Sequence, residues 1–143
     1  MNSMRSYLVV FLVLMMTVSG CGTAKKAGSL KELAGEWSVV SLQGKELSVA
    51  EESRPYIGFD INELRMYGMS GCNRMMSAVN VDAKLGTMTF GPVAGTRMAC
   101  PDMSLEQAMF VALDGVRTYT LDKEGALVLY GDDGHELMVL RRR

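Results

Sequence analysis

The sequence predicts an α+β fold: several antiparallel strands and one amphipathic helix, which must cover a sheet face or plug an open barrel. Three observations carry this expectation. From Trp37 onward, short apolar or alternating runs are separated by turn residues, as hairpin-connected strands require. One segment, residues 104–116, breaks that rhythm with apolar residues three and four apart. The chain has 143 residues, enough for a single core and too few for two.

At the start of the chain, Met1–Ser6 holds one basic side chain, Arg5, and Tyr7–Val18 follows without a charge. A bilayer span takes about 20 apolar residues, so this shorter run fits the apolar region of a secretion signal. Val18-Ser19-Gly20-Cys21 comes next, small residues and then a cysteine. That order resembles the lipobox of bacterial lipoproteins. The resemblance implies that residues 1–20 are removed, that Cys21 becomes the first residue, and that its thiol carries a diacylglycerol. Two or three acyl chains hold a protein to a membrane far more firmly than one. Gly22–Gly28 (GTAKKAG) is small, polar and suited to a tether. Residues 21–34 are therefore assigned to the lipidated cysteine and its tether, and residues 35–143 to the folded domain. Gly22 stands where lipoproteins retained in the inner membrane often carry Asp, so the same resemblance implies the outer membrane.

The strands follow in order. Trp37–Leu42 (WSVVSL) is aromatic and β-branched, and Gln43-Gly44-Lys45 can turn it. Tyr56–Asp60 and Glu63–Tyr67 flank a tight turn at Ile61-Asn62. Arg74–Val81 is a weaker strand, and Thr87–Phe90 alternates as a half-buried strand should. Leu127–Tyr130 and Leu137–Leu140, joined by Gly131-Asp132-Asp133-Gly134, read as the last hairpin. The helix carries its stripe on Leu105, Ala108, Met109, Ala112, Leu113 and Val116. Ser104 and Gln107 form a capping-box pattern, and Asp102 and Glu106 place negative charge near the N-terminus. Pro101 precedes the helix, and Gly115 can end it in a left-handed conformation.

Composition excludes one function class. Without residues 1–20 the chain has 14 basic and 16 acidic side chains, and a nucleic-acid binder normally shows a basic excess or stripe. The basic run Arg141-Arg142-Arg143 reads as a solvated, frayed end. No glycine pattern matches a phosphate loop or a dinucleotide fingerprint. Gly68-Met69-Ser70-Gly71-Cys72 approaches a nucleophile elbow but ends in Cys and lacks the strand-turn-helix setting. The single histidine, His135, falls in a turn region and reads as exposed. No cofactor or metal is expected. If Cys21 carries lipid, Cys72 and Cys100 remain as an even pair in an oxidising compartment. A bridge between them is one reading, worth about 3 to 4 kcal/mol by chain entropy. Two buried free thiols, or a metal site shared with His135, are the others. Met66, Met69, Met75, Met76, Met98 and Met103 can act as core filler or as soft copper(I) ligands.

Gly71-Cys72-Asn73-Arg74 and, one strand later, Thr96-Arg97-Met98-Ala99-Cys100-Pro101 ahead of a helix resemble the META/HslJ-like domain family. Gly35-Glu36-Trp37 and the last hairpin fit the same pattern, which covers about Leu33 to Leu140. Met75-Met76 departs from it, since the family more often has an aromatic and then a small residue there. The resemblance implies a curved antiparallel sheet, half-barrel-like, with the helix packed on it. It implies stress-associated envelope proteins and imports no reaction. In this setting Gly71 permits a left-handed backbone and Asn73 bonds the backbone in a turn. Arg74 and Arg97 bond turn carbonyls or acidic neighbours. The functional expectation is a non-catalytic domain that binds or supports an envelope protein, a peptide or an apolar ligand, anchored to the membrane through Cys21. A secreted hydrolase inhibitor, marked by an exposed rigid loop, is the alternative. An enzyme using acidic residues, marked by convergent carboxylates in a cleft, is a third.

Overall fold

Apolar and polar side chains alternate along most of the extended runs, and each such run becomes a strand with one face turned inward. A computed structural model of the chain describes residues 27–143; the segment expected to be a secretion signal, Cys21 and the first part of the expected tether lie outside the described residues. A short helix α1 (Leu30–Leu33) leads into β1 (Gly35–Leu42) and β2 (Lys45–Glu46), followed by a 3₁₀ turn at Glu51–Ser53. Then come β3 (Tyr56–Asp60), β4 (Arg65–Met69), β5 (Arg74–Asp82), β6 (Thr87–Phe90) and β7 (Ala94–Gly95). Helix α2 (Ser104–Gly115) precedes β8 (Thr118–Leu121), β9 (Leu127–Tyr130) and β10 (Glu136–Arg142).

All pairings are antiparallel. The path β1-β3-β4-β5-β6-β8-β9-β10 returns to β1, giving a closed barrel of eight strands, with β2 and β7 as short additions on β1 and β5. The expected half-barrel is thus corrected to a closed one. Two features close it, a strand that the sequence pattern left unassigned and a basic run that it reads as a frayed end. β8 supplies the strand between β6 and β9. β10 runs on into the basic triplet as far as Arg142, setting Arg142 opposite Trp37 and Arg141 opposite Ser38. The triplet is therefore structural. The Arg142 guanidinium lies 4.4 Å from the Trp37 ring and donates to the Ala34 and Glu32 carbonyls at 2.6 and 2.5 Å. Arg143 covers the Tyr56 ring at 4.4 Å.

A barrel of this size has room inside for side chains only. Trp37, Met66, Met88, Tyr119 and Met138 are among the fully buried residues that fill it. Nine methionines follow Cys21, and four of them, Met66, Met88, Met109 and Met138, are 0% exposed, as filler of an irregular core should be. Helix α2 lies across one end of the barrel, since it touches β6 on one side and β1 and β10 on the other. Residues 28–34 close the other end. There Leu33 is fully buried, Tyr119 Oη donates to the Gly28 carbonyl at 2.9 Å, and Trp37 Nε1 donates to the Leu33 carbonyl at 2.9 Å. The packed domain thus begins inside the stretch assigned to the tether.

Helix α2 spans the expected segment, but its ends differ in detail. Met103 is the N-cap, the Ser104 N–H is taken by Asp102 Oδ1 at 2.8 Å, and the expected Ser104/Gln107 box does not form. Hydrogen bonding from the Ser104 side chain, and then from its N–H, holds the Asp102 carboxyl below the usual range. Gly115 stays out of the left-handed region, and an extended Val116 stops the helix. With Trp37 both filling the barrel and holding α1, Trp37→Ala should lower the unfolding free energy by about 3 to 5 kcal/mol. Urea denaturation checks this, and a loss under 1 kcal/mol would mean that the barrel end is not packed around the indole.

Candidate functional site

The two motif segments meet beside the end covered by α2. The β4–β5 loop, Ser70–Asn73, turns with the Ser70 N–H donating to the Asn73 carbonyl at 2.9 Å. Gly71 sits there at φ 116°, a backbone region that side-chain-bearing residues avoid. Asn73 is fully buried, and its amide spans to the second motif. Its Oδ1 accepts from Thr96 Oγ1 at 2.9 Å and from the Met98 N–H at 2.8 Å. Its Nδ2 faces the Met98 carbonyl at 3.4 Å and Cys100 Sγ at 3.7 Å. Thr96 closes the arrangement: its Oγ1 accepts the Arg74 N–H at 3.1 Å, and its own N–H donates to the Arg74 carbonyl at 3.0 Å. The sulfurs of Cys72 and Cys100 are bonded, with the Cα atoms 6.4 Å apart. Together these bonds form a clasp that fixes residues 96–100 to the barrel wall.

Two residues of the clasp have a role there that the sequence does not signal. Ser70 is fully buried, and its hydroxyl, with one proton to give, lies 2.7 Å from Glu106 Oε2 and 3.0 Å from the Asn73 carbonyl. Glu106 is only 9% exposed, turned into the clasp from the first turn of α2. A glutamate at that position ordinarily reads as an exposed charge favoured by the helix dipole. Ser70 is thus a tie between loop and helix.

The arginines of the motifs behave differently from expectation. Arg74 and Arg97 are both exposed, and neither guanidinium bonds a turn carbonyl or an acidic neighbour among the described residues. The inward arginine is one that the motifs do not contain: Arg54 reaches the Val39, Leu47 and Val49 carbonyls at 3.4, 3.3 and 3.2 Å. Pro101 is exposed ahead of α2. His135 lies in the β9–β10 turn, 82% exposed, with Nδ1 2.7 Å from Asp133 Oδ2. The His135 backbone N–H holds the Asp133 carboxyl below its usual range. No three His, Cys, Asp or Glu side chains among the described residues are grouped as metal ligands.

Outside the clasp the wall is apolar. Met76 is 55% and Met98 53% exposed, and an open depression of about 270 Å³ runs beside β7 between Arg74, Met76 and Gly95. Tyr67 lies next to Met76 in register and folds its ring over Gly58, where a Cβ would stand 2.3 Å from the ring. Partial desolvation there, followed by Glu36, raises the Tyr67 pKa. No helix among the described residues is long and apolar enough to cross a membrane.

A family model of the META domain matches residues 30–143, the barrel together with α1. The chain belongs to the META domain family. No curated protein matches it significantly. Among solved structures, the NMR structure of a protein from Burkholderia xenovorans is similar, with 22% identity and TM-score 0.63 over 80% of this chain and 86% of that one. A second NMR structure gives 20% identity and TM-score 0.58 over 78% of this chain and 93% of that one. The crystal structure of a DUF4847 family protein from Bacteroides vulgatus gives 13% and 0.56 over 78% and 94%. At these identities the likeness is one of fold, and it places this META domain on the same barrel.

The clasp separates residues by what they should do to stability. Asn73→Ala leaves Thr96 and the Met98 amide without their buried acceptor and should cost about 1 to 3 kcal/mol. Arg74→Ala and Arg97→Ala, lacking partners, should each stay within about 0.5 kcal/mol. Denaturation midpoints of the three variants check the contrast; equal losses in all three would contradict the geometry.

Proposed function

We propose that the chain is an envelope lipoprotein, anchored through acyl chains on Cys21 at the outer membrane, whose META domain binds or supports a protein or peptide partner in the stress response without catalysing a reaction. The anchor reading rests on Val18-Ser19-Gly20-Cys21 and the apolar run before it. One observation above all supports the binding role. The uncharged polar side chains of the signature motifs, Asn73 and Thr96, are engaged with each other in the clasp, while exposed methionines and the two motif arginines, which have no partner among the described residues, stand on its outer side. The barrel interior is filled by Trp37, Met66, Met88 and Tyr119, which favours a partner at the surface over an apolar ligand within. The buried pair Ser70 and Glu106 joins a loop to a helix.

Cys21→Ser should abolish acyl labelling and move the protein from the membrane to the soluble fraction, or leave its precursor uncleaved. Unchanged labelling and retention would rule out the anchor. For the binding role, affinity capture from envelope extract with the full chain should retain a partner that the Met76→Glu variant loses. Turnover of a substrate abolished by replacing one carboxylate, at unchanged stability, would instead establish an enzyme.

A further inference from the structure

β7 is paired on one side only. Its Met75↔Gly95 and Met76↔Ala94 register, continued by the Thr96 N–H to Arg74 carbonyl bond, turns Ala94 and Thr96 toward β5. By the alternation of an antiparallel ladder, the N–H and C=O groups of Gly95 and Arg97 then point away from the barrel wall. Residues 94–98 are exposed along their whole length. A bare edge of this kind is a template for another strand, and proteins usually blunt it. Here Pro92 and Pro101 bracket the segment and limit its length, yet the five residues 94–98 between them stay exposed, with the Phe110 ring of α2 against the face of Gly95.

The edge is also held still. Asn73 grips the Met98 N–H, Thr96 is bonded to Arg74 through both side chain and backbone, and the Cys72–Cys100 bond pins the far end. A strand edge ordered in advance loses little conformational freedom on binding. Its surroundings define what would fit. Met76 and Arg74 line the depression, and the exposed Arg97 and Met98 follow its wall in the chain; neither arginine forms an ion pair with a carboxylate among the described residues.

We propose that the outer edge of residues 94–98 is a docking site for a short extended segment of a partner protein, an acidic side chain flanked by apolar residues, which adds to β7 as a further strand. Backbone groups of Gly95 and Arg97 supply the pairing, the methionines take the apolar residues, and the two arginines select the carboxylate. This deepens the binding reading above and rests on it. A second copy of the chain is a poorer occupant, because two-fold pairing of this edge with itself brings the arginines of one copy against those of the other.

A library of randomised twelve-residue displayed peptides, selected against the full chain in detergent, tests the proposal. The enriched peptides should carry Asp or Glu within an alternating apolar pattern. Their binding should slow hydrogen exchange at the Gly95 and Arg97 amides. Arg74→Glu and Arg97→Glu should each weaken it by about fivefold or more at an unchanged denaturation midpoint, and backbone N-methylation of the peptide should abolish it. Peptides that bind but ignore both charge reversals, or protect amides elsewhere, would overturn this site and leave the binding reading standing. Failure to enrich any peptide would also overturn it, while partner capture by the full chain would still decide the broader reading. A dimer dispersed by the same reversals would assign the edge to a second copy instead.

Discussion

A sheet that curls on itself must satisfy the two strand edges it brings together, and here the pairing of β1 with β10 does so. Once these strands meet, the interior becomes a fixed volume that only side chains can fill. Trp37 stands at that seam. Its indole is buried in the barrel, bonded to the Leu33 carbonyl, and covered by the Arg142 guanidinium from the opposing strand. The same seam decides where the helix goes. A closed barrel has no open inner face to cover, so the apolar stripe of α2 finds its partners at one mouth. Residues 28–34 take the other.

Position at the mouth then explains the motifs. The β4–β5 loop and residues 96–100 border the end that α2 covers, and each is an irregular backbone with polar groups to satisfy. Asn73 satisfies several of them at once from a fully buried position. Ser70 and Glu106 tie the loop to the helix, and the Cys72–Cys100 bond spans the same gap. The family signature is therefore a fastening for one stretch of chain, and the side chains left outside it, Arg74, Arg97, Met76 and Met98, are exposed.

Much of this was legible in the sequence, and the remainder was hidden for physical reasons. Thr87–Phe90 and Leu127–Tyr130 begin and end where alternation and apolar runs place them, because a half-buried strand has to alternate. Thr118–Leu121 alternates too, but four residues directly after a helix give little to distinguish a strand from a connection. Closure was harder. It depends on Arg141 and Arg142 lying in a strand, and a basic triplet resembles solvated chain until something at the other end of the sequence pairs with it. The two motifs were visible as a pair, yet their spacing alone does not tell which side chain bridges them. Glu106 reads only as negative charge near a helix N-terminus, since its partner Ser70 lies 36 residues away.

The closure of the barrel is tested most directly by native-state hydrogen exchange along the β1–β10 seam. If the account is right, amides on both sides of the Val39↔Leu140 and Leu42↔Met138 pairs exchange only with free energies near that of global unfolding, because opening one strand exposes the whole interior. Protected β1 amides beside β10 amides that exchange by local fraying would show a free edge at β10. The barrel would then be open, and neither the place of α2 nor that of the clasp would follow from it.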